Sequence, residues 1–369
     1  MAAPPAWGFD DLAPELRVVL THGLPGAAPG PCRALSDAAW SRLVEACRGH
    51  GLEGLLVTAV VDAAVPADDA QRSEVAALEL SLTGRRMGHE ARSTAPLAVL
   101  DEAGIDLCLL KGPALAALDY PDVQQRPTGD LDLLVRAGQI DLAVEALVAA
   151  GGTWTDPEPV GDYVRLAGKG ATVMMPDGLE VDLHRILVWG PFGVRVPDDE
   201  LWAERRAFTY AGVPRRGLGR EETLLHVALH LLVLGTVRAR EVRDVGQLLC
   251  SPDLDAERLL VLARRWGQEA VLATAVLMAD RELRLGPGSH PLSTWAKGYP
   301  VTARDRLWLR TEQPVGRLRG LESAAVYAEL PSATARQVFR MATLHPRPGT
   351  WPGPGDRLVA LGRRLTKRG

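Results

Sequence analysis

Residues 107–135 constrain the fold of this chain more than any other stretch. The apolar run at 107–110 has the length and the flanks of a buried strand. It stops at the Lys-Gly-Pro sequence at 111–113, and the alanine- and leucine-rich segment that follows, up to Tyr120, predicts a short helix. After a polar loop, the sequence Asp-Leu-Asp-Leu-Leu-Val at 130–135 predicts a second strand. The stretch therefore predicts a strand, a helix and a second strand in close succession.

Two carboxylates lie close together on the second predicted strand. Because side chains alternate between the faces of a strand, Asp130 and Asp132 project to one side while Leu131 and Leu133 point into a core. Like charges at this spacing destabilise a fold unless a cation lies between them. Two carboxylates together with substrate phosphates are ligands that Mg²⁺ prefers. A strand edge with two solvated aspartates is the alternative, because so short a motif also recurs by chance.

The order of motifs in this stretch resembles that of the nucleotidyltransferase superfamily, in which a strand, a glycine-containing turn and a helix precede a strand bearing Asp-h-Asp, h being apolar. The sequence LLKGPALAALDYPDVQQRPTGDLDLLV is similar, more narrowly, to a branch of uncharacterised bacterial nucleotidyltransferases. That branch has Leu-Lys-Gly, a short helix ending near Tyr-Pro, and then Arg-Pro-x-Gly-Asp-h-Asp-Leu-Leu-Val. The residues that match, in order, are Lys111, Gly112, Tyr120, Pro121, Arg126, Pro127, Gly129, Asp130 and Asp132.

The resemblance implies a nucleotidyltransferase fold and a reaction that depends on Mg²⁺, with Mn²⁺ as the alternative ion. A nucleoside monophosphate would pass from a nucleoside triphosphate, the co-substrate, to an acceptor hydroxyl or phosphate, and pyrophosphate would be released. Asp130 and Asp132 would hold the metal. The residues expected to bind the nucleotide are Lys111, Gly112, Arg126 and Gly129.

One departure from the superfamily pattern concerns the turn before the helix. The wider superfamily has Gly-Ser there, and the serine binds a phosphate, whereas this chain has Gly112-Pro113. Since proline has no N–H to donate, phosphate recognition must rest on other groups, chiefly the Lys111 ammonium and the Gly112 N–H. The alternatives for the two cations are a surface lysine at 111 and a loop salt bridge at Arg126.

A third carboxylate is expected from a later pair of strands. Residues 171–175 and 179–184 alternate polar and apolar side chains and are joined by a Pro-Asp-Gly turn. Asp182 is the predicted third acid, because Val-Asp-Leu-His resembles the family's third-acid strand; it would take up the acceptor's proton and help to bind the metal. Glu180 is the rival for this role, and His184 on the same face could support the metal ligands or contact the acceptor. A hairpin with an exposed acidic edge is the alternative.

The chain is expected to return to helices from about residue 191. His226 and His230 are spaced as zinc ligands could be, but Val227 stands where the Glu of His-Glu-x-x-His belongs, so core histidines are favoured. Asp244 falls in a segment that resembles the family's aspartate after this helix, where it is expected to be structural and to pair with an arginine.

The region before residue 100 is predicted to be helical. A helix from Asp37 is expected to stop at Gly49 to Gly51, and residues 71–100 predict one or two more helices. The expected inner face of the latter consists of Leu78, Leu82 and Met87. A solvated face is expected for Arg85, Arg86 and Arg92.

Composition indicates a soluble globular protein. The chain has 369 residues, 47% apolar and 24% charged, and its net charge of −4 argues against indiscriminate nucleic-acid binding. Four cysteines stand singly, which predicts neither a zinc site nor a disulfide framework.

The N-terminus lacks the features of a signal peptide, and the longest apolar segment, 224–235, is too short to cross a bilayer, so we expect a cytoplasmic protein with no membrane partner. Arginine outnumbers lysine 38 to 4, as is typical of a GC-rich bacterial genome.

We therefore predict an α+β protein, with a small mixed sheet of nucleotidyltransferase type between helical regions. The predicted parts are an N-terminal helical region (1–94), the catalytic core (95–190, with a further strand at 163–167), a helical domain (191–335) and a basic tail (336–369). The favoured acceptor is a small molecule or a peptide, as in a biosynthetic tailoring enzyme. An enzyme that modifies RNA or tRNA, including a toxin, is the less favoured alternative, and a non-catalytic nucleotide-binding protein is the third.

Overall fold

A computed structural model describes residues 13–28, 30–155, 170–188, 191–233 and 238–311. The predicted strand at 163–167 and the basic tail at 336–369 lie outside the described residues. Within them, the predicted α+β fold with a mixed sheet between helices is confirmed. The boundaries proposed for the domains remain predictions.

Four helices precede the sheet. They are α1 (Pro14–Thr21), α2 (Asp37–His50), α3 (Glu53–Val61) and α4 (Asp69–Glu102). Helix α2 ends at Gly51, which adopts the left-handed conformation of a C-terminal cap (φ +68°). Helix α4 is one continuous helix of 34 residues, and it begins at a capping box formed by Asp68 and Gln71.

The buried side of α4 differs from the prediction at one residue. Leu78 and Leu82 are buried, as expected, but Met87 is 59% exposed and its predicted inner position is wrong. The buried stripe passes from Leu82 to His89, seven residues later. At about 100° per residue, Met87 points roughly 140° away from Leu82.

The sheet has seven strands within the described residues, in the spatial order β3-β4-β5-β2-β1-β7-β6. They are β1 (Leu107–Leu109), β2 (Leu131–Val135), β3 (Thr153–Trp154), β4 (Gly170–Met174), β5 (Glu180–His184), β6 (Arg205–Tyr210) and β7 (Val213–Leu218). Strand β2 pairs antiparallel with β1 and parallel with β5, and β4 pairs antiparallel with β5. Helix α5 (Lys111–Asp119) joins β1 to β2, and α6 (Ile140–Ala149) follows β2. The predicted unit over 107–135 and the hairpin over 171–184 are thus confirmed.

The hairpin of β6 and β7 corrects the expectation that the chain is helical from residue 191. Strand β7 adds to the edge of the sheet by pairing parallel with β1, with Leu109 opposite Gly217. The arginines of both strands obscure an apolar alternation. The sequence signal is Ala211-Gly212, whose positive φ angles of +50° and +76° are those of a two-residue hairpin turn.

The remaining described helices follow β5. They are α7 (Pro191–Val194), α8 (Asp198–Leu201), α9 (Arg220–Val233), α10 (Ala239–Leu249), α11 (Ala256–Arg265), α12 (Glu269–Glu282), α13 (Ser293–Gly298) and α14 (Ala303–Thr311). None of the described helices is long and apolar enough to span a membrane. The four cysteines are free thiols, and Cys108 is buried in β1.

Two apolar cores cover the two faces of the sheet. Leu131 and Leu133 of β2 belong to the core shared with α4 and α6, whereas Leu134 belongs to the core shared with α9 to α12. Because side chains alternate along a strand, Asp132 points to the same face as Leu134. The C-terminal helices therefore cover the face that carries the acidic side chains.

Candidate active site

The pairing of β2 with β5 brings two acids and a histidine together. In this parallel pair Asp132 lies directly opposite Asp182. Two residues later, His184 places its Nε2 2.8 Å from Asp132 Oδ1 and 2.9 Å from Asp182 Oδ2. The ligand atoms of the three side chains lie within 4.8 Å of one another. The Asp132 side chain is 4% exposed and that of Asp182 is 21% exposed, so solvent reaches the cluster on the Asp182 side.

Lys111 supplies a cation to this cluster. Its Nζ lies 3.0 Å from Asp132 Oδ1, the same oxygen that accepts from His184. Lys111 begins α5 with φ of +40°, in the left-handed region that rarely suits a residue other than glycine. With this backbone conformation Lys111, which was predicted to bind phosphate, contacts Asp132, which was predicted to bind the metal.

Asp130 is not part of the cluster. It precedes β2 and is exposed, and its backbone carbonyl accepts a hydrogen bond from His89 Nε2 at 3.1 Å. Burial lowers the pKa of His89, so the ring is neutral and its Nδ1 accepts from the Tyr210 hydroxyl at 2.7 Å. Sequence reasoning missed His89, and its only signal there is a histidine in the buried stripe of α4. Gly129, beside Asp130, is exposed.

A divalent metal, which the resemblance implies, fits the donor set of this cluster. Asp132 and Asp182 offer carboxylate oxygens from neighbouring strands, the donors that Mg²⁺ and Mn²⁺ prefer. Nδ1 of His184 is buried and has no hydrogen-bond partner among the described residues. A metal-binding histidine normally donates its other ring N–H to an acceptor, so the two carboxylates fit the ion better than the imidazole does.

Comparison with known proteins identifies the family of this chain. Residues 36–284 match the model of a family described as an uncharacterised nucleotidyltransferase. The chain belongs to this nucleotidyltransferase family. No curated protein matches it.

Two solved structures are similar to part of this nucleotidyltransferase. One is the solution structure of the antibiotic-resistance factor ANT(2'')-Ia, 16% identical, with a TM-score of 0.37 over 49% of this chain and 92% of that chain. The other is an antigenic nucleotidyltransferase-like protein from Paracoccidioides brasiliensis, 14% identical, with a TM-score of 0.30 over 53% of this chain and 93% of that chain. Neither likeness bears on the site residues.

In this nucleotidyltransferase Arg126 is buried in an ion pair. Its Nε lies 2.8 and 3.0 Å from the two carboxylate oxygens of Asp244 on α10, and its Nη1 donates to the Pro127 carbonyl. The Tyr120 hydroxyl donates to the same carboxylate at 2.7 Å. Burial alone would lower the pKa of Arg126, but Asp244 outweighs it and raises that pKa. The arginine partner predicted for Asp244 is therefore Arg126, and the salt-bridge alternative for Arg126 holds.

Gly112 packs closely against the loop before β2. A Cβ added to Gly112 would come within 2.6 Å of Thr128 Cγ2 and 2.7 Å of its Oγ1. Real side chains do not approach so closely, so any larger residue at 112 would displace the Thr128 side chain. The glycine thereby holds the segment that leads to Asp130 against the start of the helix.

The remaining candidates lie apart from the cluster. Glu180 begins β5 and is exposed, two residues before Asp182. His226 is buried in α9 and His230 is half-buried, with their ring centroids 6.5 Å apart. Within the described residues neither histidine belongs to a group of three possible metal ligands. The burial of His226 agrees with the core position that the sequence favoured.

Proposed function

We propose that this nucleotidyltransferase transfers a nucleoside monophosphate from a nucleoside triphosphate to a small-molecule or peptide acceptor, with release of pyrophosphate. One observation carries the proposal: Asp132 and Asp182 lie side by side on parallel strands, with the Lys111 ammonium 3.0 Å from Asp132 Oδ1. Paired acids beside a cation suit the binding of a metal and a triphosphate.

We assign Asp132 and Asp182 to the metal, Mg²⁺ or Mn²⁺, with Asp130 available from its exposed position just before β2. When bound, such an ion neutralises the charge of the triphosphate and orients it. His184 supports the two acids through Nε2–H, which it shares between them at 2.8 and 2.9 Å. If Nε2 were a metal ligand, the proton would move to the buried Nδ1, which lacks an acceptor among the described residues. An unsatisfied buried donor of this kind costs about 1–3 kcal/mol.

Phosphate recognition falls on groups at the start of α5. Pro113 can donate no backbone hydrogen bond, so the Lys111 ammonium and the Gly112 N–H are the available donors there. Arg126 is held by Asp244, which favours a role in shaping the loop over direct contact with phosphate. The net charge of −4 favours a small or peptide acceptor over RNA, since RNA-modifying enzymes display broad basic surfaces.

Binding of a non-hydrolysable nucleoside triphosphate is expected to require the metal. The phosphates and two carboxylates all carry negative charge, so without a divalent ion they repel each other. Calorimetry in Mg²⁺ should give a saturable signal that disappears in EDTA and returns with Mn²⁺. Equally tight binding in EDTA would contradict the proposed site.

Lys111→Ala is expected to weaken triphosphate binding in Mg²⁺ by about 10-fold to 150-fold, the equivalent of a charge-assisted hydrogen bond of about 1.5–3 kcal/mol. Because Lys111 competes for Asp132 Oδ1, the same variant should bind Mn²⁺ alone at least as tightly as the wild type. Lys297→Ala, which removes an exposed lysine from α13, is the matched control. If the triphosphate affinity of the variant is within error of the wild type, Lys111 pairs with Asp132 but does not bind the triphosphate.

A further inference from the structure

A cavity lies against the loop that leads to Asp130. It has a volume of about 300 Å³ and lies between α4, α5, residues 123–128 and the turn that joins β6 to β7. The members of the carboxylate cluster do not line it: Lys111, Asp132, Asp182 and His184 are all absent from its wall. The cavity is therefore lined by other residues than the carboxylate cluster, and residues 126–128 form part of its wall.

Guanidinium groups dominate the charge of this cavity. Arg85 and Arg86 of α4 and the buried Arg126 line it, whereas Glu90 is the one acid among the described lining residues. Each of the first two has a carboxylate partner: Arg85 Nη2 lies 2.9 Å from Glu53 Oε1, and Arg86 Nη1 lies 2.6 Å from Glu90 Oε1. The Arg86 Nε is buried and has no hydrogen-bond partner among the described residues. Because a guanidinium has five N–H donors, Arg85 and Arg86 keep donors that these ion pairs do not use. Such donors favour an anion, since a carboxylate or phosphate accepts from them in pairs.

The rest of the wall is apolar or aromatic. Leu82, Ala116 and Val123 contribute aliphatic surface, and Tyr210 contributes its ring. The Tyr210 hydroxyl is held by His89, so the ring is fixed in place. A volume of about 300 Å³ is at the lower end of the range for pockets that bind small molecules.

We propose that this cavity binds a small organic anion, namely a carboxylate or phosphate monoester with an apolar or aromatic body, and that it does so independently of the metal. The anionic group contacts Arg85 and Arg86, and the apolar body lies against Tyr210 and Ala116. Thr128 also lines the cavity, two residues before Asp130, so the ligand contacts the loop that enters the catalytic strand.

Calorimetry with phenyl phosphate, benzoate and benzyl alcohol tests the proposal, with the full chain in EDTA and without nucleotide. At least one of the two anions should bind, and the neutral alcohol should bind at least about ten-fold more weakly. Binding of phenyl phosphate alone would assign a phosphate ligand, and binding of benzoate alone a carboxylate. Failure of both anions to bind at millimolar concentration overturns the proposal.

Single substitutions test where the anion binds. Arg86→Gln should weaken binding of the anion by about ten-fold or more. Arg92→Gln is the same change at an exposed position of α4 that does not line the cavity, and it should leave the affinity unchanged. Ala116→Leu fills the cavity without a change of charge and should abolish binding. Binding that is lost in Lys111→Ala and unaffected by Arg86→Gln would place the anion at the carboxylate cluster instead. Since the measurement uses neither metal nor nucleotide, its failure is distinct from a failure of the proposed transferase function.

Discussion

Asp182→Asn is expected to reduce nucleotidyl transfer by about 10²-fold to 10⁴-fold, the range for loss of a general base. A hydroxyl acceptor is a poor nucleophile at neutral pH, and Asp182 is the acid of the cluster with the greater exposure, 21% against 4% for Asp132. We infer that the acceptor approaches from this side and gives its proton to Asp182. The turnover number with a fixed triphosphate and the pyrophosphate released are the measurements.

Two comparisons separate this role from a general effect on folding. Asparagine keeps the size of the side chain and can still accept from His184, so the far-ultraviolet circular dichroism and the unfolding midpoint should stay close to those of the wild type. Glu180→Gln removes a carboxylate from the same strand, but at an exposed position, and should leave turnover almost unchanged. Near-normal turnover in Asp182→Asn together with an inactive Glu180→Gln would assign the base to Glu180.

Asp244→Ala is expected to lower the free energy of unfolding by about 3–5 kcal/mol, the usual effect of removing one partner of a buried ion pair. Arg126 is 6% exposed and Asp244 is 2% exposed, so the variant leaves a guanidinium buried without its counter-charge. The Tyr120 hydroxyl loses its acceptor as well. Urea denaturation measures the loss, and an effect below about 1 kcal/mol would show that the pair is not a main anchor between α10 and the loop.

An exposed ion pair provides the control for this effect. Asp253, 77% exposed, lies 2.9 Å from Arg220, and Asp253→Ala should cost only about 0–1 kcal/mol. The double variant Arg126→Met/Asp244→Leu removes both buried charges, so it should be less destabilised than Asp244→Ala. If the double variant is the less stable of the two, the destabilisation of Asp244→Ala comes from lost packing and not from the unpaired charge of Arg126.

The sequence by itself determined the elements that depend on local pattern. Three elements form as predicted: the strand at 107–109, the short helix after it and the strand at 131–135. Each of them depends on an apolar periodicity and on terminating residues that lie within a few positions of it in the sequence. The order of motifs from Lys111 to Asp132 indicated the family, and the match over residues 36–284 confirms it. The hairpin at 170–184 followed from alternation and a Pro-Asp-Gly turn.

Only the tertiary structure decided which of the candidate groups meet. The pairing of Asp132 with Asp182 depends on the parallel register of β2 and β5, which lie about fifty residues apart, and no local period specifies such a register. In the same way, Arg126 could be matched with Asp244, and His89 with the carbonyl of Asp130, only once helices distant in sequence had packed against the loop. The physical reason is that alternation along a strand fixes only the face to which a side chain points. The partner of a charged side chain is selected because a buried charge must be paired, and charges become buried only when the core assembles.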